Sequence, residues 1–125
     1  MKKSLEASKL IYMATSTKDG VPNVAPMGAF KLMDDETILI SDQFMNKTAG
    51  NLKENPWISI AFWGEAGGFQ IKGKGTIHTD DQVFKDDVEW MKQLRPNLKP
   101  KGAIVMKITD VFIIKAGPDA GKKLL

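Results

Sequence analysis

Apolar and polar residues alternate most clearly in the segment Phe69–Thr79. Its odd-numbered positions from 69 to 77 are apolar or glycine, and its even-numbered positions from 70 to 78 are polar. Because successive side chains of a strand point to opposite faces of a sheet, this pattern predicts a strand with one buried face. Gly73 and Gly75 fall on that face, which indicates a tight bend or a close approach by another backbone.

The segment Trp57–Trp63 is apolar on both faces. Ile58, Ile60 and Phe62 share one face, and the two tryptophans lie on the other. A strand with two apolar faces fits a barrel whose outer surface contacts another subunit. Residues 64–68 are glycine-rich and are predicted to form the turn into the next strand.

A first hairpin is predicted near the N-terminus. Ile11–Thr15 has strand composition, and Asp19 and Gly20 form a dipeptide typical of tight hairpin turns. The next strand is predicted from about residue 21 to 32 and contains Pro22 and Pro26. Since proline cannot donate to a strand ladder, we expect this strand to be bulged or to lie at a sheet edge.

Three helices are indicated between the strands. One is predicted over residues 4–10, and another is capped by Asp80 and continues to Leu94. The third begins after Asn46, a strong N-cap residue, and ends before Pro56, which disfavours helical dihedrals at the preceding residue. Its free N–H groups would lie beside Lys47 and predict an anion site there.

Two further apolar strands, Thr37–Ser41 and Ala103–Lys115, complete the set. The order of elements predicts a mainly β fold, an antiparallel Greek-key barrel of about six strands with two or three short helices. We find no internal repeat and no long linker, so residues 1–125 are predicted to form a single domain.

Composition and charge favour a small anionic ligand. The chain is 42% hydrophobic and 26% charged, with a net charge of +3 and a pI near 9.1. Most of the positive charge comes from lysine, since Arg95 is the sole arginine. A face built to read nucleic-acid bases is usually rich in arginine, so nucleic-acid binding is disfavoured.

The chain contains no cysteine, which excludes disulfides, thiolate catalysis and iron–sulfur ligation. We see no zinc-ligand pattern and expect no metal site. No apolar run approaches the roughly 20 residues that span a bilayer. We therefore expect a soluble cytoplasmic protein that does not associate with membranes.

The run Lys47–Pro56 reads Lys-Thr-x-x-Asn-Leu-x-x-Asn-Pro. With residues 15–22, 40–42 and 68–73 and the segment Pro26–Gly28, it makes the chain resemble the FMN-binding split-barrel proteins related to pyridoxamine 5′-phosphate oxidase. The similarity covers nearly the whole chain and is greatest to the small single-domain FMN-binding members.

The resemblance implies a set of cofactor-binding residues. Lys47 and Thr48 would hold the FMN phosphate. The backbone at Pro26, Met27 and Gly28 would lie along the flavin ring, and Ser41 and Asp42 would close the site. We add Asn46, the predicted cap, and Asn51, which either reaches the ligand or satisfies a loop carbonyl, so the full predicted set is Pro26, Met27, Gly28, Ser41, Asp42, Asn46, Lys47, Thr48 and Asn51.

Two departures limit the resemblance. Full pyridoxamine phosphate oxidases carry an arginine-rich set for the substrate phosphate and a characteristic C-terminal segment, whereas this chain has one arginine and ends in Gly121–Leu125. That activity is therefore not expected. Haem-handling relatives use a histidine ligand, and the only histidine, His78, lies on the polar face of its strand.

The leading hypothesis is an FMN-dependent oxidoreductase or electron-transfer protein, homodimeric, with FMN at the subunit interface and a nicotinamide or deazaflavin donor. The sequence contains no Ser-His-Asp or Cys-His pattern, so no catalytic side chain is assigned and the cofactor would carry the chemistry. A flavin carrier without turnover remains the alternative. A nucleic-acid-binding small barrel is a third and weaker one.

Overall fold

The computed structural model describes residues 1–64 and 67–125 of the chain. Within these residues, one sheet of seven strands is accompanied by three helices. The strands are β1 (Ile11–Ser16), β2 (Pro22–Met27), β3 (Phe30–Asp34), β4 (Thr37–Asp42), β5 (Trp57–Gly64), β6 (Gly67–His78) and β7 (Gly102–Ile113). The helices are α1 (Lys2–Ala7), α2 (Lys47–Glu54) and α3 (Gln82–Leu94).

The strands run in the order β2-β1-β5-β6-β7-β4-β3, and every neighbouring pair is antiparallel. Strands β2 and β3 are the two edges of this sheet. The predicted antiparallel, mainly β fold is confirmed. The predicted turn at 64–68 includes residues 65 and 66, which lie outside the described residues.

The predicted count of six strands is wrong, because residues 21–32 form two strands rather than one. Strand β2 pairs with β1 from Ser16↔Pro22 to Ile11↔Met27, and β3 then pairs with β4 at the opposite edge of the sheet. Gly28 and Ala29 make the crossing between them. Since the β1–β2 register is unbroken, the prolines mark an edge strand and not a bulge.

The core lies on the inner face of the sheet. Ile58, Ile60 and Phe62 are buried there, whereas Trp57 and Trp63 on the outer face of β5 are 47% and 61% exposed. The isoleucine and phenylalanine face of β5 is therefore the core face, and the subunit contact expected on the tryptophan face stays a prediction.

The close approach predicted at Gly73 is also present. A Cβ atom on that residue would lie 2.1 Å from the backbone oxygen of Lys107 in β7. The β6–β7 register shifts between Lys72 and Gly73, so the glycine accommodates a local bend in the longest strand pair.

Helix α3 begins one residue later than predicted. Asp81, not Asp80, is its N-cap, and the Asp81 carboxylate accepts the N–H of Phe84 at 3.1 Å. The helix buries Met91 and, unusually for an acidic residue, Asp87. Asp87 thereby faces the end of β4, where the candidate site lies.

Candidate functional site

A cleft of about 410 Å³ lies between the edge of β2, the end of β4 and the start of α2. Strand β2 has β1 as its sheet neighbour on one side, and its other side borders this cleft. The structure brings most of the predicted cofactor-binding set together here, namely Pro26, Met27, Gly28, Ser41, Asn46, Lys47 and Thr48. Asp42 and Asn51 lie behind this lining.

The start of α2, which lines the cleft, has backbone N–H groups without intrahelical acceptors. Asn46 is the N-cap as predicted, and its side chain makes no capping hydrogen bond with the described residues. Its dihedral angles, φ −127° and ψ −77°, depart from the extended conformation that a capping side chain requires. Because a helix leaves its first N–H groups without intrahelical acceptors, this end remains available to an anion.

The Thr48 hydroxyl is buried at this helix start and is already oriented. Its Oγ1 accepts a hydrogen bond from Asn23 Nδ2 at 3.1 Å, and Thr48 is 3% exposed. A hydroxyl whose oxygen accepts one bond still has a proton to donate. Thr48 can therefore donate to a ligand atom in the cleft.

Asn51 supports this arrangement from behind. Its Nδ2 donates to Thr15 Oγ1 at 3.0 Å, and the residue is buried. Of the two roles left open for Asn51, the structure shows contact with a side-chain hydroxyl of β1 and not with a loop carbonyl. The sequence analysis did not identify Asn23 as a site residue. The available signal was a polar side chain between two prolines in a predicted strand.

Two cationic side chains line the cleft. Lys47 is exposed, and it has no ion-pair partner among the residues that the structure describes. Arg95, at the end of α3, donates from Nη2 to the backbone oxygen of Gly28 at 3.3 Å. Sequence reasoning singled out Arg95 as the sole arginine but did not place it in the site, because α3 lies far from β2 along the chain.

A chain of hydrogen-bonded polar side chains lies where β4 meets the cleft. Ser41 Oγ donates to Asp87 Oδ2 at 2.7 Å, and Gln43 Nε2 donates to Ser41 Oγ at 2.6 Å. Asp87 is fully buried, and its Oδ1 has no hydrogen-bond partner within the described part of the chain. Burial raises the pKa of Asp87 above its ordinary value, although the hydrogen bond from Ser41 opposes the rise.

Asp42 shapes the loop that follows β4. Its Oδ1 accepts the N–H of Met45 at 2.8 Å, and its backbone oxygen accepts the N–H of Lys101, also at 2.8 Å. Burial raises the pKa of Asp42 as well, against the effect of the Met45 hydrogen bond. Asp42 thus supports the cleft through the loop conformation.

Phe44, in the same loop, was missed by the sequence analysis. It lines the cleft and is 82% exposed. Its only sequence signal was its position between a strand and a helix.

Among the described residues, no group of three or more His, Asp or Glu side chains is arranged to hold a metal ion. Both ring nitrogens of His78 are engaged, Nε2 with Thr76 at 2.8 Å and Nδ1 with Asp81 at 2.5 Å. None of the described helices is long and apolar enough to cross a bilayer.

Comparison with known proteins places the chain in a family. Residues 1–115 match the family model described as pyridoxamine 5′-phosphate oxidase. The uncharacterised protein MJ0282 of Methanocaldococcus jannaschii is 46% identical over 125 residues, which span 98% of this chain and 83% of that protein.

Solved structures share the fold. HupZ of Group A Streptococcus superimposes with a TM-score of 0.83 at 27% identity, over 97% of this chain and 96% of that one. An FMN-binding protein from Syntrophomonas wolfei subsp. wolfei superimposes with a TM-score of 0.74 at 18% identity, over 93% of this chain and 84% of that one.

Proposed function

This chain belongs to the pyridoxamine 5′-phosphate oxidase family, and we propose that it is a flavoprotein that binds FMN in the cleft between β2, β4 and α2. The main support for this proposal is the start of α2. Its uncapped backbone donors, Thr48 and Lys47 all line the cleft there. The FMN-binding protein from Syntrophomonas wolfei, which shares the fold, is consistent with this choice of ligand.

The start of α2 suits the phosphate group of FMN. A phosphate has several acceptor oxygens and a charge near −2, so it would use N–H donors, a hydroxyl and a cation together. Lys47 is exposed and has no carboxylate partner within the described residues, so binding would not require breaking an ion pair. Asn23 would hold the Thr48 hydroxyl in the orientation that leaves its proton for the phosphate.

The edge of β2 suits the ring system. Backbone groups on the free side of an edge strand have no ladder partner, so they can bond to the polar edge of a flat heterocycle. At Gly28 a Cβ atom would lie 3.4 Å from the Arg95 guanidinium, an ordinary van der Waals distance, so the two residues are neighbours in the wall of the cleft. The volume of about 410 Å³ is within the range of cofactor pockets.

We propose further that the protein acts as a homodimer and that a second copy completes the cleft. The outer face of the sheet exposes Tyr12, Val24, Trp57 and Trp63 on three neighbouring strands. An apolar surface of this kind is typical of a subunit interface. Val24 also lines the cleft, so a partner on this face would lie beside the ligand.

FMN would supply hydride or electron transfer, and the chain would supply binding and orientation. We therefore propose an oxidoreductase or electron-transfer role with a nicotinamide or deazaflavin donor. A cytoplasmic location, as the sequence predicts, is part of the same proposal.

The test is an absorbance spectrum of the purified protein, followed by titration of the cofactor-free protein with FMN and sedimentation analysis of its oligomeric state. We expect a flavin spectrum, released FMN after denaturation and a dimer. A colourless protein that does not quench FMN fluorescence would overturn the cofactor assignment. Bound FMN that no nicotinamide or deazaflavin donor reduces would instead indicate a flavin carrier.

A further inference from the structure

The chain Gln43–Ser41–Asp87 has a role that phosphate binding does not use. We propose that Asp87 is a positioning residue: through Ser41 it determines whether this wall of the cleft offers its ligand a hydrogen-bond donor or an acceptor. For FMN as the ligand, this inference rests on the function proposed above.

The geometry fixes which atoms are committed. Ser41 Oγ lies 2.7 Å from Asp87 Oδ2 and 2.6 Å from Gln43 Nε2. The Gln43 amide nitrogen donates to Ser41 and so occupies one lone pair of the Ser41 oxygen. Ser41 retains one proton and one lone pair, and these are shared between Asp87 and the cleft.

The protonation state of Asp87 decides how they are shared. An ionised carboxylate only accepts, so Ser41 must donate its proton to Asp87, and the remaining lone pair faces the cleft. A protonated carboxyl group can donate to Ser41 instead. The Ser41 proton is then free for a ligand acceptor, such as a ring carbonyl oxygen.

The surroundings of Asp87 make protonation accessible. The side chain is fully buried, and Oδ1 has no hydrogen-bond partner among the described residues, so its charged form is poorly solvated. Of the charged groups that act on it, Asp42 in β4 also favours the neutral form, and Lys31 in β3 opposes it. These contributions leave the pKa of Asp87 raised above that of a free aspartate.

The consequence for a flavin has a defined sign. With Asp87 neutral, Ser41 donates to a carbonyl oxygen of the ring, and with Asp87 ionised, the Ser41 oxygen faces that carbonyl as a second acceptor. We expect affinity for FMN to fall roughly threefold to tenfold as the pH rises through the pKa of Asp87, the factor for one neutral hydrogen bond. Because phosphate groups themselves titrate near pH 6, the informative quantity is the affinity ratio between variants.

The experiment compares FMN titrations from pH 4.5 to 8 for the unmodified protein, Asp87→Asn and the matched control Asp86→Asn. Asp86 is the exposed neighbour in α3. We expect the ratio of the FMN affinity of the unmodified protein to that of Asp87→Asn to change with pH. The ratio of its affinity to that of Asp86→Asn should stay constant. If the affinity ratio between the unmodified protein and Asp87→Asn does not change with pH, the proposal is wrong. Titration of Asp42 instead of Asp87 would give this result, because Asp42 is present in both proteins.

A second measurement uses the ligand-free protein and separates the two proposals. The side-chain amide resonance of Gln43 should shift with pH in step with the carboxyl carbon resonance of Asp87, and Ser41→Ala should uncouple them. If FMN does not bind but the two resonances titrate together, the cofactor assignment fails and the role of Asp87 stands. If they do not titrate together, the role of Asp87 fails whatever the cleft binds. This measurement needs no Asp87 variant, so it decides the question even where Asp87→Asn does not fold.

Discussion

Two parts of the cleft lining, named here the α2 end and the Ser41 end, are built in opposite ways. At the start of α2, Lys47 and Thr48 are neighbours in the chain, and they present a cation and a hydroxyl beside uncapped backbone donors. At the Ser41 end, Asp87 is separated from its partner by 46 residues and is fully buried. The α2 end has donors and a cation that await an anion, whereas at the Ser41 end the acidic group, the Asp87 carboxyl, is enclosed by the protein. The first end can provide affinity, and the second can adjust the orientation and polarity of the bound ring.

The largest expected effect tests the α2 end. Lys47→Ala should weaken FMN binding by about 1.5–3 kcal/mol, roughly tenfold to a hundredfold, because it removes a charge-assisted contact with the phosphate. Fluorescence-quenching titration measures the change. Lys53→Ala, an exposed lysine in the last turn of the same helix, is the matched control and should bind as the unmodified protein does. If Lys47→Ala binds FMN as tightly as Lys53→Ala does, the phosphate does not bind at the start of α2.

The second prediction concerns the stability of the Ser41 end. The pKa of Asp87 is raised in the folded protein, so its contribution to stability is complete below the ordinary aspartate pKa and is lost as pH rises through the raised value. The free energy of unfolding of the unmodified protein, relative to Asp87→Asn, should therefore fall with pH by at most about 1.4 kcal/mol per unit. Denaturant unfolding at several pH values gives both curves. Parallel curves would show that Asp87 does not titrate in this range.

A third prediction separates hydroxyl from charge at the α2 end. Thr48→Val should weaken FMN binding by about 1.5 kcal/mol, the lower end of the range for a hydrogen bond to a charged group, and the Asn23 amide also loses its acceptor. Thr48→Ser keeps the hydroxyl and should retain most of the affinity in the same titration. If the two variants bind equally, the Thr48 hydroxyl does not contact the ligand.

The smallest effect is expected at Arg95, an exposed residue of the cleft lining beside Gly28. Its guanidinium makes one long hydrogen bond to the Gly28 backbone oxygen, 3.3 Å, so Arg95→Gln should change the free energy of unfolding by no more than about 0.5 kcal/mol. Its guanidinium is already bonded to the Gly28 backbone and lies outside the start of α2, whereas the Lys47 ammonium has no partner among the described residues, so FMN affinity should change less than in Lys47→Ala. A larger loss of affinity than in Lys47→Ala would identify Arg95 as the principal phosphate ligand.

The same contrast explains what the sequence could predict. The α2 end was predictable because its residues are contiguous and because helix boundaries follow from local rules at Asn46 and Pro56. Asp87 stands three residues after Phe84 and four before Met91, so helical spacing places it on the apolar face of α3. Its contact with Ser41 depends on α3 crossing the end of β4, and no local pattern shows that crossing. The division of residues 21–32 into two strands was missed for a similar reason. The chain crosses at Gly28 and Ala29 because β2 pairs with β1 and β3 pairs with β4. Such pairing is not visible in the local sequence.

The open side of β2 has a consequence for solubility. An edge strand with unpaired backbone groups is a template for pairing with a second molecule, and natural proteins block such edges with proline or with a covering group. Pro22 and Pro26 lie on this strand and cannot donate to an incoming strand. They guard the edge against aggregation between molecules, while the backbone between them stays accessible to a ligand too small to add a strand.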